Sequence, residues 1–300
     1  GLLELNLREA ELKKQVSATF FLLINLNEKQ IILTEMDSIY SGFLSRAEFR
    51  YTKGETDALE MITASSQKAQ IRMQLSQLLL DKENELVKFQ LLLNSDVKLI
   101  PEASNQLLEV PVSRDTTVAP SHPLVKILEK QKQISLASEK LERSRLMPDL
   151  VVGYNLMSIK GTGPDNIYYD DETRFGSVQI GVGIPLFFGA QRSKIKAARF
   201  MTTIAANSYE SGVKNFKNQL ESAFRQLDVS RERLSYYQND GFKNAGRVVE
   251  IANAQFTNGE INYLEWTMLM NNATVLRTGY ADAVYELNSA IIEINYLTTK

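Results

Sequence analysis

The sequence predicts a mainly α-helical protein, built of long antiparallel coiled-coil helices that are interrupted once by a β-hairpin. Three observations carry this. All seven prolines lie between Pro101 and Pro185, and seven of the fifteen glycines lie between Gly153 and Gly189. The flanks, 2–98 and 190–300, are thus almost free of helix breakers and rich in Leu, Glu, Lys, Gln and Ala. Apolar residues there recur in 3-4-3-4 steps (Val213, Phe216, Leu220, Ala223, Leu227, Leu234, Tyr237), the seam of a coiled coil or helical bundle. Between the flanks the period changes to two.

The longest element expected is a helix from about 190 to 253, on the order of 95 Å if unbroken. Gly212, Gly241 and Gly246 sit inside it as possible interruptions. A further helix, 123–146, opens at Pro123 and closes before Pro148. Residues 99–122, with Pro101, Pro111 and Pro120, read as a loop-rich connection in which His122 is a loop residue.

Two strands are expected at Asp149–Ile159 and Phe175–Leu186, forming a hairpin over 149–186 with a long polar loop, Gly161–Arg174. In the second strand Val178, Ile180, Val182 and Ile184 alternate with Ser177, Gln179, Gly181 and Gly183; the first strand alternates less cleanly. Such strands fit the wall of a transmembrane β-barrel, with Tyr168, Tyr169, Phe175, Phe187 and Phe188 as an aromatic girdle. They fit equally a soluble hairpin packed on a helix. The barrel reading needs several chains, because one hairpin closes nothing.

Composition excludes several function classes. There is no cysteine and only one histidine, so disulfides, thiolate chemistry and His-rich metal sites are ruled out. A net charge of -2 gives no electrostatic footprint for nucleic acid. No run of about 18 apolar residues encodes a membrane-spanning helix. Gly181-x-Gly183 lacks the Lys-Ser/Thr of a phosphate loop. Met268 and Met270 near Trp266 could suggest a soft metal contact, but in a helix packing explains them far better. Asp170-Asp171-Glu172 reads as a solvated acidic loop. No constellation for hydrolysis is present, and neither an enzymatic activity nor a cofactor is expected.

An internal repeat organises the chain. Offset by 205 residues, Ala47–Glu60 aligns with Ala252–Glu265, with identities at Ala47/Ala252, Thr52/Thr257, Gly54/Gly259, Glu55/Glu260, Leu59/Leu264 and Glu60/Glu265. Tyr51/Phe256 and Asp57/Asn262 are close substitutions. Each copy reads as the tip of a long helical hairpin, with Gly54 or Gly259 as the left-handed cap that lets the chain reverse. The organisation expected is 1–98 as the second half of a first repeat (tip near 51–60), 99–122 as the connection, and 123–300 as a second repeat (tip near 256–265). On this reading the first repeat lacks a counterpart of residues 123–205, and an N-terminal portion of that size is expected to be missing.

The order of motifs is distinctive. His122-Pro123 opens a helix ending in Arg145-Leu-Met-Pro148-Asp149; the hairpin follows, then Gly183-Ile-Pro185-Leu-Phe187-Phe-Gly189-Ala-Gln-Arg192, the long helix, and Phe256-x-x-Gly259-x-x-x-Tyr263-Leu264-Glu265. It resembles the TolC-like outer-membrane efflux proteins, especially those serving heavy-metal and multidrug RND pumps. The resemblance implies a homotrimer that shares a transmembrane β-barrel and a periplasmic α-barrel, located in the outer membrane and periplasm of a Gram-negative bacterium. Outer-membrane lipid, a periplasmic adaptor protein and an inner-membrane RND pump would be its partners. Glu55, Asp57, Glu60, Glu260, Asn262 and Glu265 would surround the periplasmic entrance, where clustered carboxylates favour cations. The bland alternative for these residues is a helix first turn, where the macrodipole stabilises acids. Val178, Ile180, Val182 and Ile184 would face lipid. The function implied is a passive exit duct for metal cations or drugs. The alternative is a soluble coiled-coil structural or adaptor-like protein with an inserted β-hairpin.

Overall fold

A computed structural model describes residues 1–101, 107–109, 121–184 and 187–299. Among the described residues six α-helices and four strands follow in order: α1 (Leu2–Thr52), α2 (Ala58–Leu93), α3 (Pro123–Ser144), β1 (Asp149–Met157), β2 (Gly161–Thr162), β3 (Tyr168–Tyr169), β4 (Phe175–Gly183), α4 (Gly189–Tyr236), α5 (Phe242–Thr257) and α6 (Tyr263–Leu297). They divide into two compact units, residues 1–124 with 214–300, and residues 125–213.

In the first unit α1 packs against α2 and α6. Phe43 and Ala47 share a buried cluster with Ala64 and Trp266, whereas Phe21 and Ile24, about six turns earlier in α1, meet Ile292. Both partners of α1 therefore run antiparallel to it. Most of the sequence seam that falls in this unit is buried: Phe216, Leu220, Ala223, Leu227 and Leu234 are all below a tenth exposed, and Tyr237 at its end is half-buried. Asp57 starts α2 by accepting hydrogen bonds from the Leu59 and Glu60 amides, both at 3.1 Å. Asn94 ends it in the left-handed conformation, φ 48°.

The long helix expected over 190–253 is broken. A π-helical turn, Tyr237–Gly241, separates α4 from α5, and the Phe242 amide donates five residues back to the Tyr237 carbonyl. The physical reason is a register change: after Tyr237 the inward positions step by four (Gly241, Ala245, Val249), and one wide turn absorbs the extra residue. Tyr237 lies over Gly279 of α6, where a Cβ would stand 2.3 Å from its hydroxyl oxygen and 2.7 Å from Cζ. Gly279→Ala is thus expected to cost about 1–3 kcal/mol, read as a lower denaturation midpoint, with Tyr237→Leu recovering part of the loss.

His122 lies in the non-helical turn ahead of α3, as expected of a loop residue, but it is fully buried there. Its Nδ1 accepts from the Leu124 amide at 3.2 Å, its Nε2 meets the Tyr296 carbonyl at 3.2 Å, and its ring stacks 4.6 Å from Phe216. It acts as an aromatic N-cap in front of Pro123, whose missing amide needs no partner in a first turn. Most of the expected loop-rich connection, including Pro111 and Pro120, lies outside the described residues.

In the second unit α3 and α4 form an antiparallel pair joined by the β-hairpin. Gln191 donates to the Glu142 carbonyl and carboxylate at 2.8 Å, Thr202 donates to the Ser135 carbonyl at 3.2 Å, and Lys132 lies 5.1 Å from the Tyr209 ring. Each strand of the hairpin is nine residues long, shorter than expected. β4 stops at Gly183, just ahead of Pro185, which could donate nothing to a ladder; Pro185 and Leu186 themselves lie outside the described residues. The loop between the strands is less irregular than expected, since β2 and β3 pair within it.

Candidate functional site: strand face and hairpin tips

The β1–β4 register resolves the uneven alternation of the first strand. Leu150, Val152 and Tyr154 stand opposite Val182, Ile180 and Val178. Directly paired residues of an antiparallel ladder share a face, so these six side chains form one apolar surface. Each is between 59 and 78 % exposed, and Ile184 beyond the ladder is 63 % exposed. The opposite face is mixed: Gly153, Asn155, Ser177 and Gln179 lie there with Val151 and, at the loop end, Met157 and Phe175. Only two strands pair, so both outer edges keep unpaired amides and carbonyls among the described residues. An exposed apolar face of this extent, bordered by two open edges, is unusual for a surface left in water.

The two hairpin tips belong to the first unit and share one turn geometry. The Glu55 amide donates to the Arg50 carbonyl at 2.9 Å, and that of Gly54 to Tyr51 at 3.0 Å; Glu260 donates to Gln255 at 2.8 Å, and Gly259 to Phe256 at 3.1 Å. These are two Schellman motifs, matched residue for residue at an offset of 205. Gly54 and Gly259 hold φ of 73° and 74°, where a side chain would be strained. After each turn Asp57 or Asn262 caps the next helix through the amides at the second and third positions on.

The acidic candidates separate into two groups. Glu55, Asp57, Glu260, Asn262 and Glu265 are exposed. Glu60 is 5 % exposed and is held by Arg50 at 3.1 Å and by the Thr56 hydroxyl. Glu265, its counterpart, instead accepts from the Asn262 amide at 2.9 Å and completes a capping box. The difference follows from sequence, because the position of Arg50 is occupied by Gln255 in the second copy. Arg50, Glu60 and Phe43 line a cleft of about 390 Å³ together with the Phe256–Gly259 turn.

Trp266 organises the second tip. It is 1 % exposed, its ring lies 4.7 Å from Phe43, 5.5 Å from Phe256 and 5.6 Å from Tyr40, and its Nε1 donates to Asn253 at 2.9 Å. Burial pushes the Tyr40 hydroxyl up to about 12, and that hydroxyl donates to Asn271 at 3.0 Å. Sequence reasoning passed over both this cluster and Arg50. The signal for Arg50 was a cation ten residues before Glu60 across a tight turn.

Met268 and Met270 do not converge on a metal. Met268 is exposed, whereas Met270 is fully buried beside Trp266. In the loop acids, Asp170 accepts from the Glu172 amide and the Thr173 hydroxyl, and Asp171 pairs with Lys160 at 3.3 Å. Among the described residues no cluster of His, Asp or Glu fits a metal ion, and no helix is long and apolar enough to cross a membrane.

The family model for outer membrane efflux proteins matches residues 121–294. The chain belongs to that family. No match was found among curated protein sequences. A membrane protein from Pseudomonas aeruginosa has a similar fold, with a TM-score of 0.85 at 16 % identity, over 98 % of this chain and 69 % of that one. The outer-membrane channel OprN gives 0.86 at 17 % identity over 99 % and 67 %, and the outer membrane protein VceC from Vibrio cholerae gives 0.80 at 14 % over 99 % and 74 %. This outer membrane efflux protein is thus mostly helical with a small antiparallel sheet, like those channels, and its compartment is the outer membrane, reaching into the periplasm. Family membership sets aside the soluble rod.

Proposed function

We propose that this chain is a protomer of a homotrimeric exit duct in a tripartite RND-type efflux system, passing metal cations or drugs across the outer membrane. The observation that carries it is the apolar β1–β4 face with two open edges, in a chain that matches the efflux family. Val178, Ile180, Val182 and Ile184 face lipid, and the hairpin joins hairpins of other copies in a transmembrane β-barrel. The helices contribute to a periplasmic α-barrel, and the two tips, derived from one repeated unit, form its entrance, where an adaptor docks and an inner-membrane pump delivers the cargo. The duct performs no chemistry; the pump selects the substrate.

At the entrance Glu55, Asp57, Glu260 and Glu265 supply negative charge around the threefold axis, repelling one another and favouring cations. Glu60 serves differently, tying the first turn together through Arg50. Charge and capping can be separated, because Asn caps a helix about as well as Asp. In the full-length protein Asp57→Asn is expected to leave folding intact while weakening block by multivalent cations several-fold in planar-bilayer recordings. Unchanged conductance, selectivity and block would remove Asp57 from the entrance.

A further inference from the structure

The two ends of the β-hairpin differ in charge. Residues 139–149 and 189–199, at the helix end, hold seven Lys or Arg against three acids, whereas the loop end, 160–174, holds two against four. The helix-end segments are adjacent, because Gln191 in the first turn of α4 bonds Glu142 in the last turn of α3. Two of the acids there are satisfied locally, Glu139 by Arg143 at 2.6 Å and Glu142 by Arg145 at 2.7 Å. Arg192, Lys194 and Lys196 are exposed on α4, and among the described residues Arg192 and Lys196 make no ion pair. Apolar side chains near the strand ends are exposed as well: Phe187 is 93 % exposed and Met147 66 %.

Resting on the reading that the hairpin spans the outer membrane, we propose that this basic collar binds the phosphodiester headgroups of anionic phospholipid in the leaflet on the helix side. Met147 precedes β1 by two residues and Phe187 follows β4 by four, so on the spanning reading the cations of α3 and α4 lie where acyl chains give way to headgroups. Their charge is complementary to phosphate, and the loop end, with its excess of acids, is not. Each Lys or Arg near an anionic surface contributes about fivefold in affinity at low salt, and the effect fades as salt screens it.

The test uses the full-length protein in nanodiscs of phosphatidylcholine with phosphatidylglycerol as the minor component. The lipid retained around the protein is measured by native mass spectrometry. The wild type is expected to enrich phosphatidylglycerol several-fold over the bulk mixture. Arg192→Gln/Lys194→Gln/Lys196→Gln is expected to abolish that enrichment while assembly is retained. Equal enrichment by variant and wild type, or none by either, overturns the proposal. So does loss of the trimer regardless of lipid, which would mean that the cations pair across copies. Spin labels at Val178 and Ile180 in the same nanodiscs give a separate readout: labels inaccessible to oxygen in the bilayer refute the spanning hairpin itself, whereas lipid-exposed labels without enrichment refute only the collar.

Discussion

Ile180→Arg combined with Val182→Arg is expected to abolish outer-membrane assembly of the full-length protein. Both side chains are well exposed on the apolar face, opposite Val152 and Leu150 in the ladder. An arginine on the lipid side of a barrel costs about 2–4 kcal/mol near the bilayer midplane. The pair together would exceed much of a protein's ordinary stability margin. Arginine at Ser177 and Gln179, on the other face of the same strand, should be tolerated, because those positions point away from lipid in this reading. Membrane fractionation compares the two variants directly. A double variant that reaches the outer membrane at the wild-type level would contradict the lipid-facing assignment.

Trp266→Ala is expected to carry the largest cost in the helical part, about 3–5 kcal/mol for deleting a fully buried aromatic side chain. The ring touches Tyr40, Phe43 and Phe256, which come from two different hairpins, and its indole N–H is the partner of Asn253. Removal leaves both a cavity and an orphaned carbonyl oxygen. Hydrogen exchange should show the loss locally: amides of 36–47 and 252–270 lose protection, while those of α3 and of the β1–β4 ladder do not. Trp266→Phe should fall between, keeping most of the packing but not the hydrogen bond. Uniform loss of protection throughout the chain would show that the tip is not a separable cooperative unit.

Much of the architecture was legible because it follows from local rules. Long helices need an absence of breakers, and the proline map showed where breakers are absent. The Schellman turns at Gly54 and Gly259 were legible because a helix that must reverse within a few residues favours glycine at φ near 73°. The strand face was half legible: β4 alternates cleanly, but β1 carries apolar residues on both sides, and only the pairing of Val152 with Ile180 shows which of them share a face with Val178, Ile180 and Val182. The burial of His122 and Glu60 was not legible, for a common reason. A polar residue beside a proline or a turn reads as exposed, and only the partners that arrive from distant sequence, Phe216 and Tyr296 for one and the reversed Arg50 for the other, bring about burial.

By itself, the sequence determined the helices, the hairpin, the two tips and the family resemblance, since each depends on residues within a few positions of one another or on a motif order that survives without coordinates. The tertiary structure alone decided which charges at the tips are free and which are tied, where the long helix yields to a π turn, and which residues of β1 share a face with the apolar row of β4. Those outcomes depend on pairings across 10 residues for Arg50 and Glu60 and on distant contacts such as Tyr237 over Gly279. Periodicity reports which residues turn inward along one element; it carries no information about which partner meets them there.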